Sequence, residues 1–375
     1  MTNKENNRYM RQAIKLAYKG MGYTSPNPPV GAVIVKGNKI IGKGYHQKSG
    51  EPHAEIHAIN NCTESPKGAE LYVTLEPCNH TGKTGPCSEA IIKAGIIKVF
   101  IGSIDPNPDV KGSGTVFLEE NNIKVVSGIL KKECDELIKY FSCFIQKKRP
   151  YFIYKSAASI DGKTATATGK SQWITSEKSR IDGHKLRNQV DAILVGKQTF
   201  LLDNPQLTTR LTGKRTRNPV RIILNANLSF PKNCTLERIK PLNETIFIYS
   251  EKKTTKKDVA AVKNKGFEVF SCETNNKGQF NLKKLCHYLY TKNIASVLIE
   301  GGGNTVWNFF NQKLIDEQIL YLSPKIIAGK NARGIIDGEG FEDLVNTPVL
   351  SEVNIIKLAP DLKITGKIVY QNGNK

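Results

Sequence analysis

His53, Cys78 and Cys87 constrain the fold of this chain more than any other feature. All three are zinc-type donors, and they can serve one ion only if the chain doubles back to bring them together. Three protein donors leave a fourth tetrahedral position open for water, which is the arrangement of a catalytic site and not of a structural one. Glu55, two residues beyond His53, is placed to take a proton from that water and carry it to a leaving amine. The opposing arrangement is a closed knot in which His57 or His80 completes the shell. His57 follows His53 by one helical turn and reads as a packing histidine beside the ligand.

A length of 375 residues allows two or three domains, each large enough for its own core. The hydrophobic fraction of 39% and charged fraction of 24% are those of a soluble globular protein. No apolar run approaches the length of a membrane span, and the polar start lacks a signal-peptide core. The eight cysteines do not form a dense disulfide pattern, so the expected setting is the reducing cytoplasm. A net charge of +21 invites a nucleic-acid partner, but the lysines are spread over the whole chain and not gathered in a stripe. The reading is therefore no nucleic acid and no membrane, with a positive field that suits phosphorylated small molecules.

The first 149 residues alternate between short strands and helices. An amphipathic helix is expected from Asn7 to Gly20, followed by the stiff segment Thr24–Pro29, which can hold Asn27 toward a substrate. Strands at Val30–Val35 and Lys39–Tyr45 are joined by the hairpin pair Gly37-Asn38. A helix opens at His53, the strand Ala69–Leu75 delivers Glu76-Pro77-Cys78, and a short helix follows Cys87. The strand Ile96–Ile104 exits into Asp105-Pro106-Asn107-Pro108, polar residues at the end where α/β sheets bind ligands. A strand at Ile123–Val126 and one helix from Leu130 to about Lys147 complete the unit. Lys147-Lys148-Arg149-Pro150 marks the boundary.

From residue 150 to 375 the pattern restarts as a second α/β unit. Strands are expected at Tyr151–Ala157, Asp191–Gly196, Val220–Leu224, Thr245–Ser250, Ser296–Glu300 and Gln318–Leu322, with a helix at Ser176–Asn188. The stretch from Asn354 to Tyr370 reads as an antiparallel return at the sheet edge, and Glu251–Lys257 as a solvated loop or helix start. Glu300-Gly301-Gly302-Gly303-Asn304-Thr305 opens a helix at Val306–Asn311. Consecutive glycines there let backbone N–H groups approach a pyrophosphate, although a simple tight turn has the same composition.

His-x-Glu followed by Pro-Cys is the signature of zinc-dependent nucleobase deaminases. Eight residues separate Cys78 from Cys87 where nucleoside and tRNA deaminases usually have two, and the block from Glu76 to Cys87 resembles the deaminase half of the bifunctional riboflavin-biosynthesis deaminase/reductase family. Lys155–Lys163, Ser171–Thr175 and Asp203–Arg210 resemble motifs of the reductase half, in the same order, so the resemblance spans nearly the whole chain.

The resemblance implies a cytidine-deaminase-like α/β/α sandwich at 1–149 and a dihydrofolate-reductase-like α/β domain at 150–375. It implies one zinc ion per chain, NADPH, phosphorylated pyrimidine substrates and a homo-oligomer assembled through the reductase domain. Asn27, His46, His80, Lys83, Asp105 and Asn107 would contact the deaminase substrate. Ala157, Trp173, Thr199, Asp203, Gly302, Gly303, Asn304 and Thr305 would face NADPH. Ser171, Arg187, Leu207, Arg210 and Glu300 would face the reductase substrate, with Arg187 and Arg210 suited to clamp a phosphate and Lys155 suited to polarise or protonate beside the sugar carbon. Where the resemblance implies a serine contact to the cofactor after the strand at Val220, this chain has Asn225-Ala226-Asn227. Two other readings stand beside this one: a tRNA or nucleoside deaminase with an RNA-binding C-terminal half, and a binding protein with retired sites.

Overall fold

The computed structural model describes residues 3–79, 85–108, 110–213, 215–239 and 244–371. The chain divides into two compact units, Met1–Pro150 and Tyr151–Lys375.

In the first unit, helix α1 spans Asn3–Gly20 and buries Tyr9, Met10, Ala13, Ile14 and Ala17, one stripe at helical spacing. Strands β1 (Gly31–Lys36) and β2 (Lys39–Tyr45) form the expected hairpin. Gly37 and Asn38 both adopt positive φ, as a tight two-residue turn requires. Then follow α2 (Ala54–Asn60), β3 (Glu70–Leu75), α3 (Cys87–Lys93), β4 (Lys98–Ser103), α4 (Ser113–Glu120) and β5 (Lys124–Ser127). The sheet order is β2-β1-β3-β4-β5, with β1 antiparallel to both neighbours and β3, β4 and β5 parallel.

Successive strand residues face opposite layers. Ala32, Ile34, Leu71 and Val73 pack with α2, α3 and α4, whereas Val33, Val35, Tyr72 and Phe100 pack with α1. The unit is thus the expected α/β/α sandwich. The single helix expected at 130–147 is instead two, α5 (Lys131–Leu137) and α6 (Lys139–Lys147), separated at Ile138. Ile138 is buried in the α1-side core with Cys134 and Leu137, and its non-helical backbone lets α6 leave that core.

The second unit holds nine strands among the described residues, ordered β10-β9-β8-β7-β11-β6-β12-β14-β13. The parallel strands are β6 (Tyr151–Ser159), β7 (Ala192–Gly196), β8 (Val220–Leu224), β9 (Thr245–Tyr249), β10 (Glu268–Ser271), β11 (Ser296–Ile299) and β12 (Glu317–Ser323). The hairpin β13 (Val349–Leu358) and β14 (Asp361–Val369) adds the antiparallel edge.

Helices α11 (Leu282–Thr291) and α12 (Gly303–Asn311) cover one face. Helices α8 (Lys197–Asp203), α9 (Thr235–Ile239) and α10 (Lys256–Asn264) cover the other. Helix α7 (Glu177–Gln189) is capped by Ser176, which accepts from Ser179 N. Thr255 and Asp258 form a capping box, so the Lys/Thr-rich stretch is a helix start.

Candidate functional site

In the first unit the carboxyl ends of β3 and β4 meet the start of α2. A Cβ on Gly44 would lie 2.2 Å from Ala54 O, so glycine lets α2 sit directly on β2. That approach seats His53 and Glu55. His53 Nδ1 lies 3.2 Å from Cys87 Sγ and 3.5 Å from Cys78 Sγ. The three donor atoms lie within 4.8 Å of one another, and no further His, Cys, Asp or Glu joins them among the described residues.

A tetrahedral zinc with ordinary Zn–N and Zn–S bonds spaces such donors by about 3.6 Å. The donor set fits the ion in both chemistry and spacing. The His57 Nε2 atom is buried with no hydrogen-bond partner and is not part of the cluster, so the closed knot through His57 does not form. His80 and Lys83 lie outside the described residues.

Donors this close share protons. A hydrogen bond from Cys87 and another from His53 hold the Cys78 thiol well below its usual range, and Cys87 is raised in turn. The bond to Cys78 likewise raises His53. Glu55 is 3% exposed, and burial pushes its carboxyl up to about 7.

His46 stands edge-on to His53, with ring centroids 5.2 Å apart. Its Nδ1 is 3.2 Å from Pro52 O and its Nε2 is 3.4 Å from Asn27 Nδ2. Donation to the carbonyl leaves Nε2 to accept from the amide, so His46 orients both Asn27 and the chain leading into His53. A cavity of about 240 Å³ opens on this cluster and takes in Asn27, His46, His53, Glu55, Asp105 and Asn107.

The structure adds residues that sequence reasoning missed. Buried Glu76 accepts from the backbone N–H groups of Asp105, Gly112 and Thr115, and so ties the Cys78 strand exit to the loop after β4. Phe141 and Ile145 of α6 wall the same cavity. Neither carries a local signal, because an apolar helix face reads as core.

In the second unit a larger cavity, about 640 Å³, lies at the carboxyl ends of β7, β8 and β11. Gly302, Asn304, Thr305 and Thr199 line it. The expected helix at 306–311 begins earlier, at Gly303, with Gly302 as its cap. A Cβ on Gly302 would find nothing closer than Thr199 Oγ1 at 3.9 Å, so the bare backbone faces open space. A dinucleotide pyrophosphate suits this cradle, because a helix start attracts negative charge. Lys197, Lys253 and Lys277 stand around it. Asn225 spends its side chain on Ser229 N and O, leaving Ala226 and Asn227 on the lining.

Other expected residues lie elsewhere. Ala157, Trp173 and Asp203 are not on this lining. Trp173 is 59% exposed, so it is not core, and its ring carries the Arg180 guanidinium at 4.5 Å. Asp203 ends α8, and burial raises its carboxyl. Ser171 is exposed on the loop before Trp173.

Lys155, Arg187 and Glu300 come together at a separate polar cluster. Lys155 Nζ is 3.4 Å from Glu300 Oε2, and Arg187 donates to both Glu300 oxygens and to Thr208 O. Arg187 therefore does not offer its fork to a phosphate, contrary to the expectation, because the carboxylate has already filled it. Burial would raise the Glu300 carboxyl, but Arg187 and Lys155 override this and hold it well below the usual range.

Leu207 is buried in the left-handed region at φ 54°, in the turn leading to Thr208. Exposed Arg210 donates its backbone N–H to His184 Nδ1 at 3.3 Å. Burial, reinforced by Arg187 and Arg210, lowers His184 to about 4. His184 was missed, although it sits one helical turn before Arg187.

Comparison with known proteins matches residues 3–103 to the cytidine and deoxycytidylate deaminase zinc-binding region and residues 150–364 to the RibD C-terminal domain. The chain is similar to the riboflavin biosynthesis protein RibD of Bacillus amyloliquefaciens, 42% identical and covering 97% of this chain and 99% of that one. It is 41% identical to the Aquifex aeolicus RibD over 97% and 95% of the two chains. Among solved structures, the diaminohydroxyphosphoribosylaminopyrimidine deaminase/5-amino-6-(5-phosphoribosylamino)uracil reductase of Thermotoga maritima is similar at 36% identity, with a TM-score of 0.84 over 98% of this chain and 99% of that one.

Proposed function

The chain belongs to the RibD family of riboflavin biosynthesis proteins, and from that membership we infer what the residues gathered at its two sites do. It is a bifunctional enzyme, a zinc-dependent pyrimidine deaminase joined to an NADPH-dependent reductase. Its substrates are the phosphorylated diaminohydroxyphosphoribosylaminopyrimidine and then 5-amino-6-(5-phosphoribosylamino)uracil, whose ribosyl group is reduced to ribityl.

The observation that carries the deaminase assignment is buried Glu55 beside the donor cluster of His53, Cys78 and Cys87, with Glu55, His53 and Cys78 lining one cavity. Zinc, which His53, Cys78 and Cys87 would hold, would supply activation of a water for attack on the amino-bearing carbon. A Glu55 oxygen accepts the proton that the attacking water sheds and returns it to the departing nitrogen, so ammonia leaves and a carbonyl remains. Asn27, held by His46, presents its amide to the pyrimidine edge. Asp105 and Asn107 position the ring from the opposite strand exit. The lining places these side chains within one cavity, which supports the assignment.

NADPH bound at the second unit would supply the hydride for the sugar carbon. The glycine cradle at 302–303 and the start of α12 bind its pyrophosphate, with Thr199, Asn304 and Thr305 around it. Ala157, Trp173 and Asp203 remain part of this proposal as flanks outside the cavity. Lys155, poised against Glu300, delivers a proton to the opening sugar oxygen. Glu300 receives substrate hydroxyls, Arg187 holds Glu300 in place, and Arg210, Ser171 and the Leu207 turn meet the phosphate end.

The +21 charge is spread along the chain and carries no RNA reading. Assembly through the reductase domain is supported by the exposed apolar side chains of edge strand β13, such as Val353 and Ile355. No helix among the described residues is long and apolar enough to cross a membrane. No disulfide joins the eight cysteines, all of them among the described residues, in keeping with the proposed cytoplasmic setting.

The test follows ammonia release and NADPH absorbance in one cuvette containing the diaminopyrimidine substrate. Ammonia first and NADPH oxidation second are expected. Ammonia without NADPH loss would remove the reductase assignment, and neither signal from zinc-replete protein would remove both.

A further inference from the structure

We propose that Phe141 of α6, backed by Ile145, is the apolar wall on which the deaminase pyrimidine ring lies, making α6 a substrate-specificity element. This rests on the deaminase reading above. The cavity at the metal donors has two kinds of surface. Asn27, His46, His53, Glu55 and Asp105 present polar edges, whereas Val30, Leu75, Val110, Phe141 and Ile145 present hydrocarbon. A pyrimidine has the same division, with polar groups around its edge and two flat apolar faces. Among the described lining residues Phe141 is the only Phe, Tyr or Trp, so it is the side chain suited to cover a ring face.

Two side chains, Gln146 and Cys143, hold α6 in that place. Phe141 and Ile145 are four residues apart and share one helix face, and Cys143 and Phe144 of the same helix are buried. Gln146 Nε2 donates to Pro106 O at 3.5 Å, which ties α6 to the loop carrying Asp105 and Asn107. Cys143 Sγ reaches the carbonyls of Arg149 and Pro150 at 3.7 Å, which anchors the helix end. The break at Ile138 is what frees α6 from the core that holds α5. Residues 139–147 lie beyond the 3–103 region that matches the cytidine and deoxycytidylate deaminase zinc-binding region.

The experiment compares full-length wild type, Phe141→Ala, Phe141→Leu and Phe141→Tyr for deaminase KM and kcat. Zinc content, NADPH-dependent reductase rate and affinity for the deaminated product by equilibrium dialysis are measured alongside. Stacking a base on an aromatic ring changes affinity by about fivefold to about 150-fold. Phe141→Ala is expected to raise deaminase KM and product Kd within that range, with kcat reduced far less, and Phe141→Tyr is expected to restore both. Wild-type KM and product affinity in Phe141→Ala would overturn the proposal. If that variant loses zinc or folds poorly, Phe141→Leu decides, since an unchanged KM there overturns the proposal and a raised KM rescued by tyrosine supports it. A wild-type protein that binds zinc but releases no ammonia would overturn the deaminase reading and this inference with it.

Discussion

Arg187 grips Glu300 through two parallel hydrogen bonds, Nε to Oε1 at 2.8 Å and Nη2 to Oε2 at 2.9 Å, across 113 residues of sequence. The pair joins the end of α7 to the exit of β11, and Lys155 approaches the same carboxylate from β6. Both partners are largely withdrawn from water.

Breaking such a pair leaves a buried charge without its partner, which costs about 3–5 kcal/mol. Arg187→Ala is therefore expected to lower the urea midpoint of the reductase unit strongly. The double variant Arg187→Met with Glu300→Leu, which removes both charges, should recover most of that loss while remaining inactive as a reductase. A double variant as unstable as Arg187→Ala alone would show that packing, not the unpaired carboxylate, sets the cost.

Glu55→Gln keeps the side-chain shape but cannot accept and return a proton. It is expected to retain one zinc per chain by metal analysis and to lose at least 100-fold in ammonia release, with the reductase rate unaffected. Removing zinc with a chelator should likewise abolish deamination and spare NADPH oxidation on supplied uracil substrate. Deamination at wild-type rate in Glu55→Gln would rule the carboxylate out as the proton carrier.

Gly302 has an ordinary negative φ of −66° and open space where a Cβ would go. Gly302→Ala should consequently fold with stability within about 0.5 kcal/mol of wild type. The added methyl enters the cavity where backbone must approach the cofactor, so NADPH Kd by fluorescence titration is expected to rise about tenfold or more. Unaltered NADPH affinity would place the pyrophosphate elsewhere.

His184 is lowered to about 4 by burial, then by Arg187 and Arg210. A folded pKa below the usual value of about 6.5 means the unfolded chain binds more protons between those limits. Stability is then full above pH 6.5 and falls as pH drops toward 4. His184→Gln is expected to flatten that part of the pH profile, measured by denaturant midpoints from pH 7 to 4. Identical slopes in the two proteins would show that other groups set it.

Reading the residues in order was enough to find His53, Glu55, Cys78 and Cys87, because their chemistry is rare and their local spacing is specific. The alternation of strands and helices was legible for the same reason, since periodicity is a local property. The sequence reads as one helix at 130–147 because its hydrophobic pattern continues across Ile138, where the structure has two. Only the packed core reveals that Ile138 turns inward and ends one helix there.

The functions of Glu76, Phe141 and His184 depend on what stands opposite them once the chain has folded. Arg187 shows the limit most clearly. Its residue type suits a phosphate clamp, and nothing near it in sequence announces the carboxylate that occupies its fork. Metal donors carry their chemistry in the residue type, so order along the chain was sufficient to locate them. Partners in buried pairs and walls of cavities are chosen by proximity in space, and that proximity exists only after the sheets and helices have packed.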